Sequence, residues 1–310
     1  MNKNPIDYIE HVKNEKLDLE EKDENFKLNS ENLNSDLDNG KLRNINHIKI
    51  KDIKLEEFNE RKKLKNILRY SNYKVMFYRT DVFFHSKKIF FLVREVIPYI
   101  KSKNVVFNEK KTLTMALVHD DVETIIGDFQ AGNRFNMSKK ELENLDNVEK
   151  VAICELAKIS PKYVNGFVYE DLLLEVLNMN TIESQIVKYL DHFDAFCEAI
   201  HEIVGGNNSF LKRVINEYGE VPSPVEYYIY KFSNYKKYYP LLEKLIGEKI
   251  PFLLDFKLPD FQSLEIKFGE HNLDNIKKDF FYEPYNWWRK ILVRNLSKKD
   301  LKNLYIKKKG

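Results

Sequence analysis

Glycine and proline are scarce in this sequence, with ten Gly and nine Pro among 310 residues. Folds built from many strands and tight turns use more of both, because glycine supplies positive φ angles and proline fixes turn geometry. The scarcity therefore favours long helices joined by compact connections. A chain of this length can bury a core, in one large domain or in two small ones.

Cysteine and long apolar runs are also lacking. The two cysteines, Cys154 and Cys197, lie within apolar patterns of helical spacing, which excludes a disulfide framework and fits a reducing compartment. No apolar run approaches the roughly 18 residues that span a bilayer. The segment MNKNPIDYIEHVKNEK has no apolar signal-peptide core. We therefore expect a soluble, cytoplasmic protein that makes no membrane contact.

The sequence has no large excess of one charge, because its formal net charge is +3. This value does not indicate nucleic-acid binding, and we expect Trp287 and Trp288 to pack on the core instead. Residues 1–54 are rich in Asn, Asp, Glu and Lys, so we expect a disordered or loosely docked arm. Residues 55–240 are predicted to form the main domain, and residues 241–310 a helical, basic extension.

Apolar residues recur at helical spacing through most of residues 55–240. Four stretches have this pattern: residues 89–97, 112–126, 169–177 and 182–204. We expect Pro98 to end the first helix and Gly127 to close the second. Ser138 and Glu141 form a capping box that opens a further helix. No GxGxxG motif, P-loop or alternating strand pattern interrupts the series, so the predicted fold is all-α.

The string HDDVETIIGD, residues 119–128, places several charges at the polar end of an apolar helix. The adjacent imidazole and carboxylate of His119 and Asp120 can chelate one divalent cation. Glu123 lies four residues after His119, one helical turn along on the same face. It can therefore reach water on the metal without being a ligand itself.

Two further ligands have candidates elsewhere in the chain. His85 begins the helix that precedes this string. Asp191 falls in a later helix whose apolar stripe indicates core packing, where a carboxylate is costly to bury unless it is paired or bound to metal. Asp194, three residues on, is the alternative ligand; we favour Asp191, with Asp194 behind it. Such a set accepts one Mn, Fe, Co, Ni, Zn or Mg ion.

This order of residues resembles the signature of the HD superfamily of metal-dependent phosphohydrolases. HDDVETIIGD is similar to the HDxxExxxGD element of the YfbR-like 5′-deoxynucleotidase branch. The segment VKYLDHFDAFCEAIHEIVGGNN, residues 187–208, resembles the same branch. The resemblance covers residues 64–210 and implies an all-α HD-domain helical bundle.

The resemblance also implies roles for individual residues. Glu123 corresponds to the acid/base group, and Asp128 to a catalytic or substrate-orienting carboxylate. The implied metal ligands are His85, His119, Asp120 and Asp191.

A second set of implied residues concerns the substrate. The family has an Arg-aromatic pair upstream of the first His for the phosphate and sugar; Arg69-Tyr70 is the best match, and Arg79 competes with it. After Gly-Asp this chain has FQAGNRFN in place of the family's Pro- and Thr-containing loop. Within it, Arg134 can supply a replacement phosphate contact, because a guanidinium binds two phosphate oxygens.

The function implied by the resemblance is removal of phosphate from (deoxy)nucleoside 5′-monophosphates by a metal-activated water. One alternative is an HD hydrolase of another nucleotide, such as a nucleoside triphosphate, an alarmone or a cyclic dinucleotide. Another is a non-catalytic, nucleotide-sensing HD module, which a missing ligand would indicate; none is missing. HD relatives are often dimers, so the resemblance also implies a homodimer.

Overall fold

A computed structural model describes residues 58–71, 73–74, 80–129, 131–204, 207–245 and 282–297. The predicted N-terminal arm and most of the predicted C-terminal extension lie outside these ranges. The helices of the described ranges are α1 (Asn59–Lys62), α2 (Val82–Ser102), α3 (Glu109–Val118), α4 (Glu123–Ile126), α5 (Lys139–Ile159), α6 (Tyr169–Asn178), α7 (Ile182–Val204), α8 (Pro224–Ser233), α9 (Tyr235–Tyr238) and α10 (Tyr282–Asn295). The prediction of an all-α fold is confirmed, and none of these helices has the length and apolar character of a membrane span.

Helices α2, α3 and α7 pack on one another at the centre of the bundle. Helix α7 is the most deeply buried, because its apolar residues occur on more than one face; Phe193, Phe196 and Ile200 are fully enclosed. Helices α6 and α8 pack on α7, and α10 packs on both α2 and α7. The apolar residues that recur every three or four positions along these helices therefore pack into one shared core.

Two short antiparallel hairpins interrupt the helices. The first pairs β1 (Tyr163–Val164) with β2 (Phe167–Val168), and the second pairs β3 (Val214–Asn216) with β4 (Gly219–Val221). Asn165 and Gly166 connect β1 to β2, both at positive φ. An Asn-Gly pair between apolar residues is a strong hairpin signal, which our sequence prediction overlooked.

Helix α2 continues to Ser102, so the prediction that Pro98 ends it was wrong. Proline inside a helix lacks a donor N–H and crowds the preceding turn, at a cost of about 3 kcal/mol. Ile97 and Ile100 on either side are almost fully buried. Burial of two such side chains contributes roughly 3 to 6 kcal/mol to stability, which offsets the cost of the proline.

Residues 112–126 do not form a single helix either, because α3 ends at Val118 and α4 begins at Glu123. The residues between them form a turn in which Asp121 N donates to Val118 O and Glu123 N donates to Asp120 O. Each of these bonds joins residues three positions apart, so the backbone here winds more tightly than an α-helix. The prediction that Glu123 lies one α-helical turn after His119 on the same face was therefore wrong. Gly127 closes α4 at φ +78°, as predicted, and the predicted capping box of Ser138 and Glu141 opens α5.

Candidate metal centre

Four side chains from three elements converge at one point. His85 comes from the first turn of α2, His119 and Asp120 from the turn after α3, and Asp191 from the middle of α7. One ligand atom of each lies within 4.8 Å of the other three. His85 Nε2 is 2.9 Å from Asp191 Oδ1 and 3.5 Å from Asp120 Oδ2, while His119 Nε2 is 3.1 Å from Asp120 Oδ2. The sequence predicted this set, with Asp191 favoured over Asp194.

The donor atoms of this cluster suit a divalent cation. His119 Nε2 is buried and meets no acceptor in hydrogen-bonding geometry among the described residues. Burial would lower the pKa of His119, but Asp120 and Asp191 outweigh it and raise the pKa to about 9. Burial would likewise raise the pKa of Asp120, yet His119 and Lys188 hold it well below its usual value. Two imidazoles facing two carboxylates are a set that divalent metals bind.

Polar contacts at the far side of each imidazole fix its orientation. His119 Nδ1 donates to Ala116 O over 3.0 Å, and His85 Nδ1 donates to Asp194 Oδ2 over 2.8 Å, with Arg69 Nη1 also against His85 Nδ1. A proton on Nδ1 leaves the Nε2 lone pair free to coordinate a metal ion. Asp194 therefore lies behind His85 and does not join the cluster.

Asp121, the third residue of the charged string, faces away from the cluster. Its buried carboxylate accepts hydrogen bonds from Arg61 Nε and from the Tyr169 hydroxyl, both over 2.9 Å. These partners, from α1 and α6, draw the chain out of helical geometry after Val118. The adjacent acids thus have different positions, Asp120 at the cluster and Asp121 in a structural ion pair.

Glu123 and Asp128 line a cavity of about 230 Å³ beside the cluster, together with His119, Asp120 and Asp191. Burial raises the pKa of the Glu123 carboxyl well above its usual value, and the charges of Asp120 and Asp128 add to this effect. Burial also raises the pKa of Asp128, to about 6, although Arg69 opposes it. Glu123 Oε2 is buried and has no hydrogen-bond partner among the described residues. Both carboxyls therefore lie where they can hold a proton near neutral pH.

Lys188 is a residue of this site that the sequence analysis missed. Its ammonium lies 2.9 Å from Asp191 Oδ2 and 3.7 Å from Asp120 Oδ1, at the edge of the cluster. It precedes Asp191 by three residues on α7, so the two share a helix face. That spacing was the available signal. Lys231 of α8 lines the same cavity, and burial lowers its pKa to about 8.

Three of the predicted substrate-binding residues line the cavity or a neighbouring pocket. Arg69 lines the cavity and is paired with Glu198 over 3.0 Å. Tyr70, under the Arg69 guanidinium, donates its hydroxyl to Ala195 O and lines a neighbouring pocket of about 60 Å³. Arg134 lines the main cavity, but its guanidinium is paired with Glu149. Arg79 lies outside the described residues.

The sequence profile of the family described as 5′-deoxynucleotidase YfbR-like matches residues 58–232. The chain belongs to this family. As a YfbR-like protein it is a metal-dependent phosphohydrolase, an enzyme that acts on phosphate ester bonds. The matched residues include the whole cluster and both cavity carboxyls, but they end before α10 begins.

Solved structures that are similar to this YfbR-like chain include the following three. An HD-domain phosphohydrolase of Listeria innocua is 22% identical over 60% of this chain and 83% of its own, with a TM-score of 0.43. A conserved hypothetical protein of Pyrococcus furiosus is 24% identical over 47% and 80%, with a TM-score of 0.37. A Pyrococcus horikoshii protein is 16% identical over 69% and 96%, with a TM-score of 0.43. No curated protein sequence matches the chain.

Proposed function

We propose that this YfbR-like chain is a 5′-nucleotidase that removes phosphate from (deoxy)nucleoside 5′-monophosphates, with water as the acceptor. The observation that carries the proposal is the arrangement of the cavity. Its lining combines three members of the cluster, the carboxyls of Glu123 and Asp128 and several cations with a set of aliphatic side chains. A phosphate ester of a nucleoside has the same two parts, an anionic group and a flat, weakly polar one.

In this proposal His85, His119, Asp120 and Asp191 hold one divalent ion. When bound, such an ion supplies Lewis-acid catalysis and activates water at neutral pH. The ion can be Mn, Co, Fe, Ni, Zn or Mg, since this donor set accepts all of them.

The two cavity carboxyls can hold and transfer protons in the proposed reaction. Glu123 and Asp128 both have raised pKa values because they are buried near other acids. A carboxyl that keeps its proton near pH 7 can act as a general acid and donate that proton to the leaving 5′-oxygen. We assign this acid/base work to Glu123, whose Oε2 has no partner among the described residues. Asp128, at the junction with the smaller pocket, orients the sugar.

The cations on the cavity wall bind and neutralise the phosphate. Lys188 lies beside the cluster, where its ammonium reaches an oxygen of a bound phosphoryl group. Arg69 stands on the same wall, and its planar guanidinium suits two phosphate oxygens. Arg134 is a second candidate for this role. A carboxylate pairs with each guanidinium, Glu198 with Arg69 and Glu149 with Arg134, so a bound phosphate competes with these ion pairs at both positions.

The aliphatic side chains that line the cavity accommodate the nucleoside in this proposal. Helices α5 and α6, with the residue that follows α6, provide a wall of aliphatic side chains: Ile153, Leu173, Val176, Leu177 and Met179. Such a wall packs against a base or a deoxyribose at little desolvation cost. A phosphate ester that lacks the nucleoside loses this contact, so a small alkyl phosphate should be a poor substrate.

Turnover of a nucleotide panel by the full-length protein tests the proposal. The panel contains deoxy- and ribonucleoside monophosphates, a triphosphate, a cyclic dinucleotide and p-nitrophenyl phosphate, with Mn, Co and Mg added separately. We expect orthophosphate from the monophosphates and none with Asp120→Ala. Release of pyrophosphate or triphosphate would instead identify a different HD hydrolase, and nucleotide binding without turnover in any metal would identify a sensor.

A further inference from the structure

Helix α10 lies outside the residues that match the family, yet it packs directly on two helices that carry metal-site residues. It contacts α2, which contributes His85, and α7, which contributes Asp191. Its inward face is an apolar and aromatic stripe of helical spacing, with each side chain 2% exposed: Tyr285, Trp288, Ile291 and Leu292. This helix is therefore part of the core and not a detached tail.

Trp288 of that stripe makes a polar contact with the carboxylate behind His85. The indole Nε1 of Trp288 donates a hydrogen bond of 2.6 Å to Asp194 Oδ1. The other oxygen of the same carboxylate, Oδ2, accepts from His85 Nδ1 over 2.8 Å and lies 2.7 Å from Lys88 Nζ. Both Trp288 and Asp194 are buried. Asp194 thus joins α10 to the imidazole of His85, with one oxygen for each.

We propose that Trp288 is a positioning residue for the metal centre, acting on His85 through Asp194. The inference rests on the proposed metal ligands. The terminal torsion of an aspartate has broad, shallow minima, so a carboxylate held at one oxygen can still turn. The indole fixes the second oxygen and the plane of the carboxylate, which keeps Oδ2 in line with Nδ1 and Nε2 pointed at the cluster. Such outer partners tune the affinity of a ligand set for its metal.

A neighbouring contact strengthens the argument that Trp288 has more than a packing role. The ammonium of Lys88, which is fully buried, lies 5.6 Å from the centre of the Trp288 ring. The ring face thus stabilises the cation that shares Asp194 with His85. Trp287, the preceding residue, packs edge-on against Phe193, with the ring centroids 5.9 Å apart. The two adjacent tryptophans therefore form a matched pair for experiment.

The test compares Trp288→Phe with Trp287→Phe in the full-length protein. Metal affinity is measured by competition of Mn or Co against a chelator, and the thermal midpoint is measured on the metal-free form. We expect Trp288→Phe to weaken metal binding by about tenfold, the lower end for an outer-shell change, and Trp287→Phe to leave it unchanged. Equal affinities of wild type and Trp288→Phe would overturn the inference while leaving the proposed function intact.

A second variant separates the hydrogen bond from the volume of the ring. Incorporation of 3-benzothienylalanine at position 288 replaces the indole N–H with sulfur and keeps the bicyclic shape, so it preserves packing where phenylalanine does not. The same tenfold loss, with an unchanged thermal midpoint in the metal-free form, is the expected result. Wild-type affinity in this variant would show that Trp288 only fills space. A wild-type protein that binds no metal would overturn the proposed function and this inference together.

Discussion

His85 Nε2 lies 2.9 Å from Asp191 Oδ1, although 106 positions separate the two residues. One belongs to the first turn of α2 and the other to the middle of α7, so the contact exists only when these helices pack. The apolar stripes that bring α2 and α7 together therefore also bring the proposed metal ligands together. The cluster is therefore complete only in the packed bundle.

Replacement of Asp191 by asparagine should remove the metal while preserving the fold. The amide keeps the volume of the carboxylate but loses its charge, so we expect metal affinity to fall by about a hundredfold or more. Metal content after dialysis gives the measurement, with circular dichroism to verify folding. Asp171→Asn, an exposed position on α6, is the control, and retention of metal by Asp191→Asn would remove Asp191 from the ligand set.

Adjacent acids in the charged string should respond in different ways. Asp121→Ala leaves Arg61 buried without its carboxylate partner, so we expect a loss of about 3 kcal/mol in the free energy of unfolding. Asp120→Ala removes a carboxylate that His119 and Lys188 stabilise in the metal-free protein. Because the side chains of Lys188 and Asp120 are partly exposed, whereas those of Arg61 and Asp121 are buried, this substitution should cost less stability than Asp121→Ala, while abolishing the metal binding that Asp121→Ala retains. Urea unfolding of both metal-free variants checks this contrast. A large loss of stability in Asp120→Ala would mean that Asp120 has a structural role.

Lys188→Met should separate catalysis from metal affinity. The ammonium assists phosphate binding in our account, so kcat/KM should fall by roughly ten- to a hundredfold, about 1.4 to 2.7 kcal/mol. The same ammonium repels a cation at the cluster, so its removal should leave metal affinity unchanged or raise it. Lys158→Met, on an exposed part of α5, is the control. Weakened metal binding in Lys188→Met would show that the lysine supports the ligands instead.

The burial of His201 should make the folded protein less stable as the pH falls. His201 is buried on α7 against Tyr285, and burial lowers its pKa from 6.5 to about 3. The unfolded chain therefore binds a proton between pH 6.5 and 3 that the folded chain does not, so the free energy of unfolding falls as the pH drops below 6.5. In His201→Gln the decrease between pH 7 and pH 5 should be smaller by roughly 2 kcal/mol. Identical pH dependence in the two proteins would contradict this.

The sequence could predict the parts of the site that depend on local patterns. His119 and Asp120 are adjacent, and the order of His85 and Asp191 around them matches a known signature. Trp288 could not be assigned in this way, because its contact with Asp194 spans 94 positions and lies beyond the matched family. For the same reason the helix break after Val118 was missed, since it depends on distant partners of Asp121.

The described part of the predicted C-terminal extension packs on the main domain, and Trp288 is buried there, as expected from the sequence. The homodimer, the cytoplasmic location and the boundaries of the N-terminal arm stay predictions. None of the assignments at the metal centre depends on them.

We propose that one divalent ion, held by these four residues, is required for hydrolysis of a nucleoside monophosphate. This requirement is tested most directly by stripping the full-length protein with a chelator and adding Mn in measured equivalents while following orthophosphate release from a deoxynucleoside monophosphate. We predict that activity rises from near zero and saturates at one equivalent per chain, and that Asp120→Ala stays inactive at any equivalent. Full activity in the stripped protein, or in Asp120→Ala, would contradict the account.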